Sequence, residues 1–153
     1  MKTLNYFLLL IGFGIILTSC GKDEDISSSK IAGIWLAVHE KGYEKNGNTK
    51  YEFEYSYPDN CDPEATDVGG YVKFEKNGNY SYSLNEAGKY EFVGKWEYKD
   101  DKILLSILDY DDGEYITIEC NVLKFTSNEL VMEAHVIDGT YENYSKKTLQ
   151  KVE

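Results

Sequence analysis

The chain has 153 residues, 42% of them hydrophobic and 14% aromatic, with 16 Lys and no Arg against 27 Asp and Glu, for a formal charge of −11. An acidic surface without Arg excludes nucleic acid as a partner, because phosphate backbones need clustered cations, and it disfavours electrostatic docking on anionic lipid. It also removes the bidentate clamp for carboxylates and phosphates, so the expected partners are neutral, cationic or apolar.

At the start of the chain, Lys2 is the only charge ahead of Cys20, and an apolar stretch covers 7–17. A basic start, a short apolar run and small residues before a cut is the layout of a signal peptide. The stretch is shorter than the about 20 residues that span a bilayer. Leu17-Thr18-Ser19-Cys20 resembles the lipobox of bacterial lipoproteins. That resemblance implies a signal peptide over 1–19, a lipid such as palmitate on Cys20, and everything beyond it outside the cytoplasm. Gly21-Lys22-Asp23-Glu24-Asp25 resembles the acidic export signal of lipoproteins displayed on the outer membrane of Gram-negative cells. The expected location is therefore the outer membrane, lipid-anchored, at the cell surface. On chemistry alone the same cluster is a solvated tether. The tether is expected over 20–30, with 26–30 continuing the flexible link and one domain over 31–153.

That domain reads as β throughout. Period-two alternation and turn chemistry place strands near 33–43, 49–57, 70–76, 79–85, 89–99, 102–109, 114–125, 129–137 and 140–149. Asn46-Gly47-Asn48, Asn77-Gly78-Asn79, Asp100-Asp101 and Asp111-Asp112-Gly113 supply hairpin turns. No segment holds a helical period. The run over 129–137 is apolar on both faces in part, which predicts a strand covered on both sides. Consecutive hairpins predict an all-β antiparallel meander, and closure into a small barrel of about eight strands removes its edges. The irregular connection over 58–69 is expected to be a loop across one barrel end.

Gly33-Ile34-Trp35, the segment 72–80 with its Asn77-Gly78 turn, Gly94-Lys95-Trp96 and the turn over 125–130 together resemble the lipocalin-like domains of bacterial surface lipoproteins. The resemblance covers roughly 31–137 and implies a calycin-like barrel that takes a small apolar or aromatic ligand and performs no catalysis. One departure is plain: lipocalins carry an Arg over the first Trp, and this chain has none.

Read for themselves, Gly33 lets the Trp35 indole lie against bare backbone, and Trp35 is expected to plug a barrel end alongside Ala37 and His39 on one face. Tyr90, Phe92, Gly94, Trp96 and Tyr98 form a second stripe. If it faces a cavity, Tyr82, Phe92 and Trp96 are the ligand contacts; if it faces a filled core, they are packing. Cys61 and Cys120 remain once Cys20 is acylated. They either form a disulfide, worth roughly 4 kcal/mol in the chain-entropy model, or Cys120 is a small core residue beside Ile116 and Ile118. No catalytic residues or cofactor are expected. His39 and His135 lack metal spacing, and the carboxylates over 109–114 read as a tight hairpin rather than a calcium loop, so no metal is expected. Glu40, Glu44, Glu52 and Glu54 with Tyr51, Phe53, Tyr55 and Tyr57 make an acidic, aromatic early hairpin, either a solvated face or a docking surface. Two functions follow: an anchored barrel that binds a small apolar or aromatic molecule, or a filled barrel that serves as an interaction module for an envelope protein partner.

Overall fold

The computed structural model describes residues 26–59, 68–83, 90–108 and 113–152. Among them, one helical turn, α1 (Ser28–Ile31), precedes nine strands: β1 (Gly33–Asn46), β2 (Thr49–Ser56), β3 (Tyr71–Phe74), β4 (Asn79–Ser83), β5 (Glu91–Lys99), β6 (Lys102–Leu108), β7 (Tyr115–Phe125), β8 (Glu129–Asp138) and β9 (Tyr141–Lys151). All pairings are antiparallel and run in chain order from β3 to β9, and β1 closes the ring by pairing with β9 on one side and β3 on the other. The result is the expected closed eight-stranded meander, with β2 as an added ninth strand.

The position of β2 follows from the length of β1. The first part of β1, Gly33 to Leu36, pairs with β3, and the second part, His39 to Asn46, pairs with β2 along the same edge. On the far side, β7 pairs with β8 only from Cys120 to Phe125, while its first half stays with β6. The barrel is therefore closed at its base and splays at the other end. There β2, β1, β9 and the second half of β8 form one leaf.

The base is filled. Trp35, Phe74, Phe125, Ile103, Leu130 and Leu149 are at most 1% exposed. Phe74 meets Trp96 edge to face at 5.1 Å, as ring quadrupoles favour, and Trp35 lies tilted against Phe125 at 6.3 Å. Each indole N–H donates 2.8 Å to a backbone carbonyl, Trp35 to Ile31 and Trp96 to Glu75. Trp35 is the expected plug, and Gly33 before it has φ of 147°, a conformation that favours glycine. At Gly94 a Cβ would stand 1.9 Å from the Ser106 carbonyl oxygen, so only glycine lets β5 and β6 close.

The helical turn α1 differs from the flexible link expected through Lys30. Ile31 is fully buried, and Ile26 and Ala32 pack against the core. The turn is fixed by a cation: Lys151 Nζ lies 5.1 Å from the Trp35 ring centroid and donates to the carbonyls of Lys30, at 2.9 Å, and Ala32. A lysine from the last strand thus covers the first Trp where the lipocalin pattern has Arg.

Three register shifts revise the expected faces: between Ala37 and His39 in β1, between Tyr80 and Ser81 in the β4–β5 pair, and between Val122 and Lys124 in β7. A bulge moves the residues beyond it to the opposite face. His39 consequently parts from Trp35 and Ala37 and meets Glu54 at 3.0 Å on the outside. In β8, Val131 is buried and Ile137 is 66% exposed, so the strand is covered on both sides only in its first half.

Candidate functional site at the open end of the barrel

Above the base the same strands change character. Alternation carried upward from Leu149, and past the bulge at Ala37/His39 in β1, places Glu40 and Glu44 of β1, Tyr51, Phe53 and Tyr55 of β2, and Lys147 of β9 on the inner face. Lys147 Nζ lies 3.5 Å from Glu40 Oε2, with the two side chains 16% and 12% exposed. This ion pair marks the boundary between filled base and open mouth. Phe53 and Tyr55 stack with centroids 5.6 Å apart. A hydrogen bond with Tyr51 pushes the Tyr55 hydroxyl above its ordinary pKa, and burial and the Glu40 and Glu44 carboxylates add to it.

Opposite this leaf, β6 and β7 bring Ile107, Ile116 and Ile118 to the inner face. Cys120 follows them, 3% exposed and a free thiol. Burial pushes its pKa up to about 11, against a smaller pull from Lys147. Cys61 lies outside the described residues, and Cys120 packs in the core as a small buried thiol.

The decisive feature is accessibility. Tyr51 is 61% exposed, Ile116 47%, Tyr141 38% and Val136 36%, although each points to the inner face of its strand. Inward-facing apolar groups that meet solvent define an open mouth, with a dry base below.

The sequence-predicted ligand residues are not brought together at this mouth. Trp96 is 6% exposed and belongs to the base. Tyr82 packs against the same core, with its ring over Gly70. Phe92 sits past the β4–β5 bulge, opposite Ser81, and is 49% exposed under the Lys95 ammonium, 5.6 Å from its ring. The bulge breaks the expected stripe, because Gly94 and Trp96 stay inside and Phe92 turns out. Cys20 and the carboxylates of 109–112 lie outside the described residues. The residues that do line the mouth come largely from the acidic, aromatic early hairpin. Tyr51, Phe53 and Tyr55 face in, and Glu52 and Glu54 face out.

No family model and no curated protein matches the chain. Among solved structures it is similar to the bovine lipocalin allergen Bos d 2, with 19% identity and a TM-score of 0.46 over 82% of this chain and 75% of that one. It is also similar to a deswapped triple mutant of bovine odorant-binding protein, with 13% identity and a TM-score of 0.42 over 81% of this chain and 76% of that one. At these values the likeness is loose, and the barrel stands on its own strand pairing.

Proposed function

We propose that the chain is a lipid-anchored surface lipoprotein whose barrel mouth receives a small apolar or aromatic molecule. The observation that carries the ligand reading is the set of accessible, inward-facing apolar side chains, Tyr51, Ile116, Val136 and Tyr141, above a filled base. Concave sites of this kind, apolar with a few placed polar groups, suit small ligands. Tyr51, Phe53 and Tyr55 supply ring faces, and the Glu40–Lys147 pair supplies the polar floor. The ligand is neutral or weakly cationic, because Glu40 and Glu44 line the mouth and Lys147 is already matched. The filled base is what the interaction-module reading requires, but the open mouth favours a ligand.

Anchoring rests on the lipobox resemblance at Cys20 and the acidic cluster behind it. Metabolic labelling with palmitate should mark the protein and fail for Cys20→Ser, and protease added to intact cells should remove the domain. For the ligand, the full chain with labelled tyrosine rings is titrated with indole, a small neutral aromatic probe. Saturable shifts at Tyr51 and Tyr55 are expected; their absence with indole and with aliphatic alcohols would sink the ligand reading.

A further inference from the structure

A second recess lies on the outer face of the same leaf, independent of the mouth. It is a groove of about 430 Å³. Lys41, Tyr43, Glu52, Glu54 and Tyr144 form its walls, and the Gly42–Phe53 pair runs between them as floor. Tyr43 faces Glu52 across β1–β2 and Tyr144 across β1–β9, so the groove follows one cross-strand row.

The aromatic part is fixed in place. Tyr43 and Tyr144 stack with centroids 5.7 Å apart and planes at 27°. The Tyr43 hydroxyl donates to Glu142 Oε1 at 2.6 Å, and the Tyr144 hydroxyl donates to Glu133 Oε2 at 3.0 Å. His135 Nε2 meets the same Glu142 oxygen at 2.9 Å and stands edge-on to Tyr144. Both hydroxyls are thereby committed away from the groove, and the rings are held by their tips. The Tyr43 hydroxyl, with His135 second, holds the Glu142 carboxyl below its ordinary range. The network is therefore intact at neutral pH.

The polar part is balanced. Lys50 Nζ sits 2.6 Å from Glu52 Oε1 and 4.3 Å from the Tyr43 ring centroid. Lys41 and Lys50 cancel Glu52 and Glu54, in a chain whose total is −11. An ionic ligand of either sign would meet as many like charges as unlike ones. A purely apolar ligand would desolvate charges that it cannot pair.

The geometry points to this groove as a binding site for a neutral saccharide. A pyranose ring packs along the groove-side edges of the Tyr43–Tyr144 stack, since the rings cover each other's inner faces and Lys50 and His135 cover the outer ones. Its hydroxyls donate to Glu52 and Glu54 and accept from Lys41, as charge-assisted hydrogen bonds. The volume lies within the range of small-molecule sites.

The test uses the full chain with labelled tyrosine rings, kept in a polyoxyethylene detergent that carries no sugar. The probes are methyl glycosides of glucose, galactose, mannose and N-acetylglucosamine, with cellobiose and diacetylchitobiose. At least one should shift the Tyr43 and Tyr144 rings saturably and leave Tyr51 and Tyr55 still. The double variant Glu52→Gln and Glu54→Gln, at exposed positions that preserve side-chain size, should weaken that binding roughly tenfold. Three results would overturn the site: no shift with any probe at its highest soluble concentration, shifts confined to Tyr51 and Tyr55, or a double variant that binds as tightly as the parent.

Discussion

The base and the mouth of this barrel are built from the same strands and do opposite work. On β1, Trp35 is fully buried, while Glu40 and Glu44 further along line an opening; on β9, Leu149 is fully buried and Lys147 is the next residue on that face. What changes between the two is the neighbour. At the base β1 pairs with β3 inside a closed ring, and at the mouth it pairs with β2 on a leaf that stands apart from β7. Closure permits dry packing, and splaying leaves inner faces wet. Stability is therefore concentrated in the base.

The largest effect should come from truncating the base. Trp35→Ala removes the largest fully buried side chain and is expected to cost about 3–5 kcal/mol in chemical denaturation. Next is Gly94→Ala, whose new Cβ would stand 1.9 Å from the Ser106 carbonyl oxygen. Overpacking of this sort typically costs about 1–3 kcal/mol, and backbone overlap places this case at the upper end. Lys151→Met removes the ammonium from the Trp35 face and from the Lys30 and Ala32 carbonyls. A loss of about 1–2 kcal/mol is expected, and amide exchange should speed up in α1 before it does elsewhere. At the other extreme, Tyr51→Ala in the mouth should change stability by less than about 0.5 kcal/mol. A mouth substitution as costly as Trp35→Ala would break the division between the two halves.

Cys120 sharpens the boundary chemically. Its folded pKa is raised from the ordinary 9.0 to about 11 because burial disfavours the thiolate. The stabilisation linked to that shift is fully present below the unfolded value and is lost as pH rises from there through the folded one. Stability should therefore fall through that alkaline window, and less steeply in Cys120→Ala. In mildly alkaline buffer, iodoacetamide should modify Cys120 only as fast as the barrel opens. Reaction at the rate of a free thiol would mean that the mouth extends down to Cys120.

Much of this fold was legible in the sequence. All nine strands fall where alternation and turn residues put them, and antiparallel closure follows from short hairpins. The bulges were not legible. A one-residue insertion in a ladder leaves hydrophobic alternation looking nearly intact while it reverses the faces beyond it, which is how Phe92 parted from Trp96. The lysine over Trp35 was also hidden, because a residue at the end of β9 reaches the start of β1 only through barrel closure. The candidate site was half legible: the early hairpin's aromatics and acids stood out, but which of them face inward depends on the shift at Ala37/His39.

The most direct test of the open mouth is native mass spectrometry of the full chain purified from its own host, beside the Ile116→Glu variant. Ile116 is 47% exposed on the inner face, so a carboxylate there should spare the fold and spoil an apolar mouth. The parent should carry a small-molecule adduct that the variant loses, with equal denaturation midpoints. A parent with a clean apo mass, or an adduct that persists undiminished in Ile116→Glu, would contradict a ligand-binding mouth.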